Sequence, residues 1–165
     1  VTEWLRLTNR GQGKRSEFLV SAVDKDDQIY LALNVRMKSS IRSEPSGEDI
    51  RNGFVVPAGA ELMVLMADRS IVTLTTDQGV TANTRYEIYE GVFVIETGGA
   101  ILYRLDADSA EALSRQDAKR VRFTANGQRL GFVKKNGSVD FEITRNATGL
   151  IRQTILCMQK LETTG

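Results

Sequence analysis

The segment from Ile29 to Met37 alternates between two kinds of side chain. Aliphatic residues fall at positions 29, 31, 33, 35 and 37, with Tyr30, Asn34 and Arg36 among the residues between them. A period of two cannot place one apolar face on a helix, which repeats every 3.6 residues. The pattern therefore predicts a half-buried antiparallel strand, and it carries no chemistry of its own.

Turn signals separate this strand from others along the chain. Asp24–Gln28 is interpreted as a polar hairpin turn rather than a calcium loop, because an EF-hand would need Gly and Glu at later positions that fall in the next strand. Asn9–Gly13 and Gly98-Gly99 are also read as turns, and Lys38–Gly53 as one long polar connector. Strands are predicted at Trp4–Leu7, Glu17–Val23, Ile29–Met37, Phe54–Val56, Leu62–Ala67, Ile71–Thr76, Tyr86–Tyr89, Val92–Thr97, Ala100–Leu105, Lys119–Thr124, Arg129–Lys135 and Val139–Thr144.

Two segments predict helices. A short helix at about 108–115 has Asp108 as its expected N-cap and Glu111 three residues on, which is the capping-box spacing. A C-terminal helix at about 147–160 is expected to begin after Asn146. Its apolar face is Leu150, Ile151, Ile155 and Met158, extended by Cys157 and Leu161. We expect Cys157 to be buried as a small hydrophobic residue.

These elements predict one mainly β domain over residues 1–165. A chain of 165 residues is the size of a single domain with its own core. Strands joined by short turns favour an antiparallel β-sandwich or flattened barrel, with the short helix and the C-terminal helix packed on it. No apolar run approaches the ~20 residues that a membrane-spanning helix needs, so we expect no membrane span.

Composition excludes several kinds of catalysis. The chain has no histidine and a single cysteine, so Ser-His and Cys-His dyads, histidine metal sites and internal disulfides are ruled out. No catalytic, metal or cofactor site is predicted, and a non-enzymatic role is favoured. The enzymatic alternative is a carboxylate-dependent hydrolase that uses a pair among Glu87, Glu90 and Glu96, lining one pocket with at least one raised pKa.

Charge is uneven along the chain. Residues 77–111 contain seven acidic and two basic residues, a net charge of −5, whereas residues 115–160 contain ten basic and three acidic residues, a net charge of +7. Pairing of these two segments across a sheet is the simpler explanation. The alternative is nucleic-acid or anion binding by a basic hairpin at 115–135. This candidate binding surface consists of Arg115, Lys119, Arg120, Arg122, Arg129, Lys134 and Lys135.

The last third resembles small bacterial cell-envelope proteins of unassigned function in the order of its elements. The strand Ile101–Leu105 is followed by the short helix, the strand Lys119–Phe123, a hairpin through Asn136-Gly137 and a closing helix. Invasion-associated periplasmic proteins have a similar ending but carry paired cysteines, which this chain lacks. The resemblance implies a periplasmic or secreted location, with the cytoplasm left open, and names no family.

We therefore expect a non-catalytic binding or structural module. Its partner would be a protein or another polymer, bound at a sheet edge or by the Lys38–Gly53 loop. Nucleic acid is the less favoured partner, no cofactor is expected, and the oligomeric state is left open. The aromatic residues that could make such contacts are Trp4, Tyr30, Tyr86 and Tyr89.

Overall fold

The computed structural model describes residues 7–11, 14–41, 54–126, 138–143 and 148–164. Strands predominate in these ranges, and two helices accompany them, so the predicted mainly β class is confirmed. The strands are β1 Leu7–Gly11, β2 Lys14–Lys25, β3 Gln28–Ile41, β4 Val55–Val56, β5 Glu61–Met66, β6 Ile71–Thr75, β7 Val80–Thr81, β8 Asn83–Tyr89, β9 Val92–Arg104, β10 Ala118–Thr124 and β11 Ser138–Glu142. The helices are α1 Ala107–Arg115 and α2 Leu150–Thr164.

The strands form two principal sheets. One has five strands in the order β1-β2-β3-β9-β8, the other has four in the order β11-β10-β5-β6, and β4 and β7 make a small third pair. Every pairing is antiparallel. The described strands form no closed barrel, so the sandwich-like form of the predicted fold is the one observed.

The alternation in β3 produces the buried face that the sequence predicts. Leu31, Leu33 and Val35 are each at most 1% exposed. They belong to one hydrophobic cluster with residues of the second sheet, among them Val64 and Phe123. Burying such a side chain stabilises the fold by about 1.5–3 kcal/mol each. The core therefore lies between the two principal sheets.

Two hairpins of the five-stranded sheet close through the same kind of turn. Asp26 and Asp27 have φ angles of 54° and 59°, and Glu90 and Gly91 have 49° and 76°. Two consecutive left-handed residues make a type I′ turn, whose twist matches that of the strands it joins. The predicted hairpin around Asp24–Gln28 is confirmed, and no described group of three or more acidic or cysteine residues could hold a metal ion there or elsewhere.

Three predicted interruptions of strands are wrong. Gly98 and Gly99 lie inside the continuous strand β9, Asn9–Gly11 belongs to β1, and β3 runs on through Lys38 to Ile41. The remainder of the Lys38–Gly53 connector lies outside the described residues. Gly98 is needed for close approach, because a Cβ atom there would lie 2.9 Å from the Val35 carbonyl oxygen of the neighbouring strand. In this strand, glycine allows two backbones to meet and does not mark a turn.

The helices match their predicted positions, with different ends. Asp106, rather than Asp108, caps α1, since its Oδ1 accepts a 2.7 Å hydrogen bond from the Ser109 backbone N–H. The helix α2 begins at Leu150 instead of 147, and Asn146 lies outside the described residues. Ile151 and Ile155 are buried as predicted, but Cys157 is exposed, because it lies off the face that they define.

The charged strand β10 alternates with one irregularity. Val121 and Phe123 are buried while Arg120 and Arg122 are exposed, as predicted. The pairing with β5 shifts register between Ala118 and Arg120, which is the signature of a β-bulge. This extra residue explains why Ala118 is buried out of phase with the two core residues that follow.

Candidate protein-interaction surface

Exposed hydrophobic side chains concentrate on one hairpin. Tyr86, Ile88, Tyr89 and Val92 are 41%, 64%, 69% and 37% exposed. All four lie on β8 or at the start of β9, on either side of the Glu90-Gly91 turn. Contiguous exposed apolar surface on a folded protein commonly marks a site of interaction. We refer to residues 83–95 as the β8–β9 hairpin.

The position of β8 in the sheet explains this exposure. It is an outermost strand of the five-stranded sheet, with β9 on one side. Its burial pattern contains no buried residue, and none of its residues belongs to the core cluster. By contrast, Ile95, which lies opposite Tyr86 on β9, is 1% exposed. Burial therefore ends between these two strands.

The free edge of β8 presents backbone hydrogen-bonding groups. In a two-residue hairpin the residues that flank the turn, here Tyr89 and Val92, form a hydrogen-bonded pair, and such pairs alternate along the ladder. The odd-numbered residues of β8 therefore bond to β9. The N–H and C=O groups of Thr84, Tyr86 and Ile88 point the other way. Among the described residues no strand lies on that side.

β8 carries two charged residues but lacks other features that block edge pairing. It contains no proline, and its register with β9 runs unbroken from Asn83 to Tyr89. Natural edge strands usually avoid association by prolines, bulges, short length or inward-pointing charges. The charged residues of β8, Arg85 and Glu87, alternate with Tyr86 and therefore lie on the opposite face of the strand from it.

A charge cluster crosses three strands beside this edge. Glu96 of β9 accepts from Lys38 at 3.0 Å and from Arg85 at 2.8 Å, and Arg36 lies 3.6 Å away. Burial alone would raise the pKa of Glu96, but Lys38, Arg36 and Arg85 together outweigh it and lower the pKa. Glu96 is thus held ionised by a group of cations that exceeds it in charge.

The three carboxylates of the hydrolase hypothesis all lie on β8, on β9 or in the turn between them, and Glu87 and Glu96 share one face of the two strands. Glu87 is exposed on β8, Glu90 is exposed in the turn, and half-buried Glu96 is engaged by cations. A glycosidase acid needs a raised pKa, whereas that of Glu96 is lowered. None of the three lines the pocket beside Tyr30. The arrangement gives the hydrolase hypothesis no support.

The predicted basic surface is only partly described. Arg115 pairs with Glu111 on α1, and Lys119, Arg120 and Arg122 are exposed on β10. Arg129, Lys134 and Lys135 lie outside the described residues. The expected pairing of β10 with the acidic segment at 77–111 is wrong, because the neighbours of β10 are β5 and β11. Glu142 and Asp140 of β11 occupy the register positions opposite Arg120 and Arg122.

A small pocket lies at the other end of the five-stranded sheet. Its volume is about 230 Å³, and its lining includes Lys25, Tyr30, Asp77 and Leu102. The Tyr30 hydroxyl donates to Asp77 Oδ2 at 3.3 Å, and burial together with the carboxylate raises the pKa of Tyr30. Organic ligands usually occupy about 300–1,000 Å³, so this pocket assigns no ligand.

Of the aromatic residues predicted to be exposed, Tyr86 and Tyr89 are exposed, Tyr30 is half-buried and Trp4 lies outside the described residues. Sequence reasoning missed Ile88 and Val92. A signal was present, because the run Val92–Ile95 is apolar on both faces, whereas an edge hairpin with one solvated face should alternate.

Comparison with known proteins gives no match: no family model, curated protein or solved structure is similar enough to this chain to bear on its function. In the part of the chain that the structure describes, no helix is both long and apolar enough to cross a membrane. The surface of the β8–β9 hairpin is therefore the basis for a functional proposal.

Proposed function

We propose that this protein is a non-catalytic binding or structural module that contacts another protein through the β8–β9 hairpin. One observation carries the proposal: four exposed hydrophobic residues lie on a hairpin whose edge strand has outward backbone groups with no described strand beside them. Such an edge binds a strand through its main chain, and side chains on alternate positions supply specificity. Tyr86 and Tyr89 provide large apolar contact area together with a hydroxyl group.

The proposed setting is a bacterial cell envelope or secreted system. The order of strand, short helix, strand and closing helix in the last third of the chain supports it, by resemblance alone. Fractionation of the source cells tests this part of the proposal separately. Recovery of the protein in the cytosol would contradict the proposed location. It would not bear on the binding surface, which is tested separately.

Site-specific photo-crosslinking tests the binding surface. A photoreactive residue at position 89 is compared with the same residue at position 75, where Thr75 is exposed on β6. We expect a discrete protein adduct, under native conditions in source cells, from position 89 and none from position 75. Equal labelling at both positions, or none at position 89, would contradict a binding role for this hairpin.

A further inference from the structure

We propose that the partner bound at β8 is a second copy of this chain, paired antiparallel through β8 of each copy about a two-fold axis at Tyr86. The inference rests on the proposed function, since it names the partner of the same surface. It joins two five-stranded sheets into one continuous ten-stranded sheet. Three features of β8 fit this symmetric register: its backbone, its charges and its apolar positions.

The backbone of β8 presents its free groups symmetrically about Tyr86. Thr84, Tyr86 and Ile88 point their N–H and C=O groups away from β9, as the alternation of the hairpin ladder requires. In the proposed register Tyr86 lies opposite Tyr86 of the second copy, and Thr84 opposite Ile88. All three are hydrogen-bonded positions, so the pairing forms about six hydrogen bonds between the chains. A shift by one residue would lose this match.

Charge complementarity favours a second copy over a strand of a single charge sign. The charged residues of β8 are Arg85 and Glu87, one residue on each side of Tyr86. In the proposed register Arg85 of each copy lies opposite Glu87 of the other, which makes two cross-strand ion pairs. A wholly acidic or wholly basic strand would leave one of the two unmatched. The five N–H donors of Arg85 allow it to keep its bond to Glu96 as well.

In the proposed dimer, the second copy shields apolar residues on both faces of β8 from water. Tyr86, at 41% exposed, meets its own equivalent on the axis, and Ile88, at 64% exposed, is brought beside Thr84. On the other face Tyr89, at 69% exposed, comes opposite Asn83. Removal of apolar surface from water supplies the non-directional part of the association energy. The exposed hydrophobic side chains of β8 are thus accounted for by one contact.

Charge reversal with mixing tests the register. Sedimentation velocity over a concentration series is run on the wild type, on Arg85→Glu and on Glu87→Arg. We expect a dimer that dissociates on dilution for the wild type. Each single variant places like charges opposite each other twice, which weakens association by about tenfold or more. An equimolar mixture of the two variants should dimerise, because every opposed pair is then complementary.

The mixture separates an interface effect from a folding effect. Arg85→Glu also loses the ion pair with Glu96 in its own chain, and a second chain cannot restore that loss. Arg69→Glu, in the exposed turn between β5 and β6 of the other principal sheet, is the matched control and should dimerise as the wild type does. A wild type that stays monomeric, single variants that dimerise normally, or a mixture that stays monomeric would each overturn self-pairing.

Failure of self-pairing is distinguishable from failure of the binding proposal. A monomeric wild type, together with a crosslinked adduct from position 89 that contains a different protein, overturns self-pairing and upholds the binding surface. A monomeric wild type that gives no adduct overturns both. A crosslink between two copies of the chain, lost in Arg85→Glu and recovered in the mixture with Glu87→Arg, supports both.

Discussion

Two hairpins of the five-stranded sheet, β2–β3 and β8–β9, have the same turn and opposite surroundings. β2 and β3 are joined through Asp26-Asp27, and β8 and β9 through Glu90-Gly91, each pair of turn residues being left-handed. The β2–β3 turn is flanked by polar residues, and its end is held by other parts of the chain. Leu105 donates its backbone N–H to Ile29 O at 2.9 Å, and Gln28 Nε2 donates to Leu105 O at 3.3 Å.

The β8–β9 turn is flanked instead by Tyr89 and Val92, both exposed. The two hairpins therefore have the same turn type and the same alternation of side chains along their strands. What differs is the layer that covers the flanking strands: β3 lies under the second sheet, whereas β8 lies at the uncovered edge. The comparison teaches that local pattern decides the strand, and tertiary position decides whether its apolar face becomes core or contact surface.

The largest expected difference between the two hairpins is in the stability lost when one aliphatic residue of each is truncated to alanine. Leu33→Ala in β3 removes a side chain that is 1% exposed, and we expect a loss of about 2–5 kcal/mol in the free energy of unfolding. Ile88→Ala in β8 removes one that is 64% exposed, for a change of about 0.5 kcal/mol or less. Urea denaturation of both variants at low protein concentration measures the difference. Similar losses in the two would contradict the assigned positions.

Replacement of Gly98 in β9 and of Gly91 in the turn before it should destabilise the protein for two different reasons. Gly98→Ala places a Cβ atom against the Val35 carbonyl oxygen, and we expect a loss of about 1–3 kcal/mol from the forced separation of β3 and β9. Gly91 has open space but a φ of 76°, so alanine costs about 1–2 kcal/mol through backbone strain.

Asparagine separates the two causes. It tolerates the left-handed conformation, so Gly91→Asn should be milder than Gly91→Ala, whereas Gly98→Asn should be at least as costly as Gly98→Ala. Thermal unfolding of the four variants gives the ranking. A milder effect of asparagine at both positions would remove the steric account of Gly98.

Gly98 shows why part of the fold could not be predicted from the sequence. A Gly-Gly pair between two apolar runs is a common turn, and nothing local distinguishes it from a close approach of two strands. The strand at Ile29–Met37 was predictable because nine residues of alternation admit one buried face. The helix cap was missed by two residues because both Asp106 and Asp108 have the required side chain.

The interaction surface was predictable only in part. Tyr86 and Tyr89 were expected to be exposed aromatic residues, but the sequence does not say which strand is outermost. Strand order is decided by long-range pairing, here between β9 and β3, which are separated along the chain by five other described strands. The same limit explains the error for the charged segments, whose neighbours in the sheet are not the ones that charge balance alone suggests.

Loss of the hydroxyl group should change the stability of the protein at one tyrosine and not at another. Tyr103 on β9 is fully buried, and its hydroxyl has no hydrogen-bond partner among the described residues; burial raises its pKa well above the usual range. Tyr103→Phe removes an unsatisfied polar atom and should stabilise the fold by about 1 kcal/mol. Tyr86→Phe, on the exposed edge, should leave the free energy of unfolding unchanged within about 0.5 kcal/mol. Chemical denaturation compares them, and destabilisation by Tyr103→Phe would reveal a partner for the hydroxyl.

The smallest expected effect concerns the charge cluster between the two hairpins. The folded-state pKa of Glu96 is lowered, so its contribution is present above the unfolded value of about 4.3 and is lost as the pH falls through the lower folded value. Glu96→Gln should therefore destabilise the protein at pH 7, by about 1 kcal/mol or less, and approach the wild type near pH 3.

Glu87→Gln is the matched control for this pH dependence, because Glu87 lies on the same hairpin and is exposed. At low protein concentration, where contacts between chains are absent, Glu87→Gln removes no described ion pair, so it should cost less stability at pH 7 than Glu96→Gln does. Unfolding midpoints at the two pH values measure both differences. Equal changes in the unfolding midpoint for the two variants would mean that Lys38, Arg36 and Arg85 do not stabilise ionised Glu96. The edge beside these residues would then be stabilised by strand pairing alone.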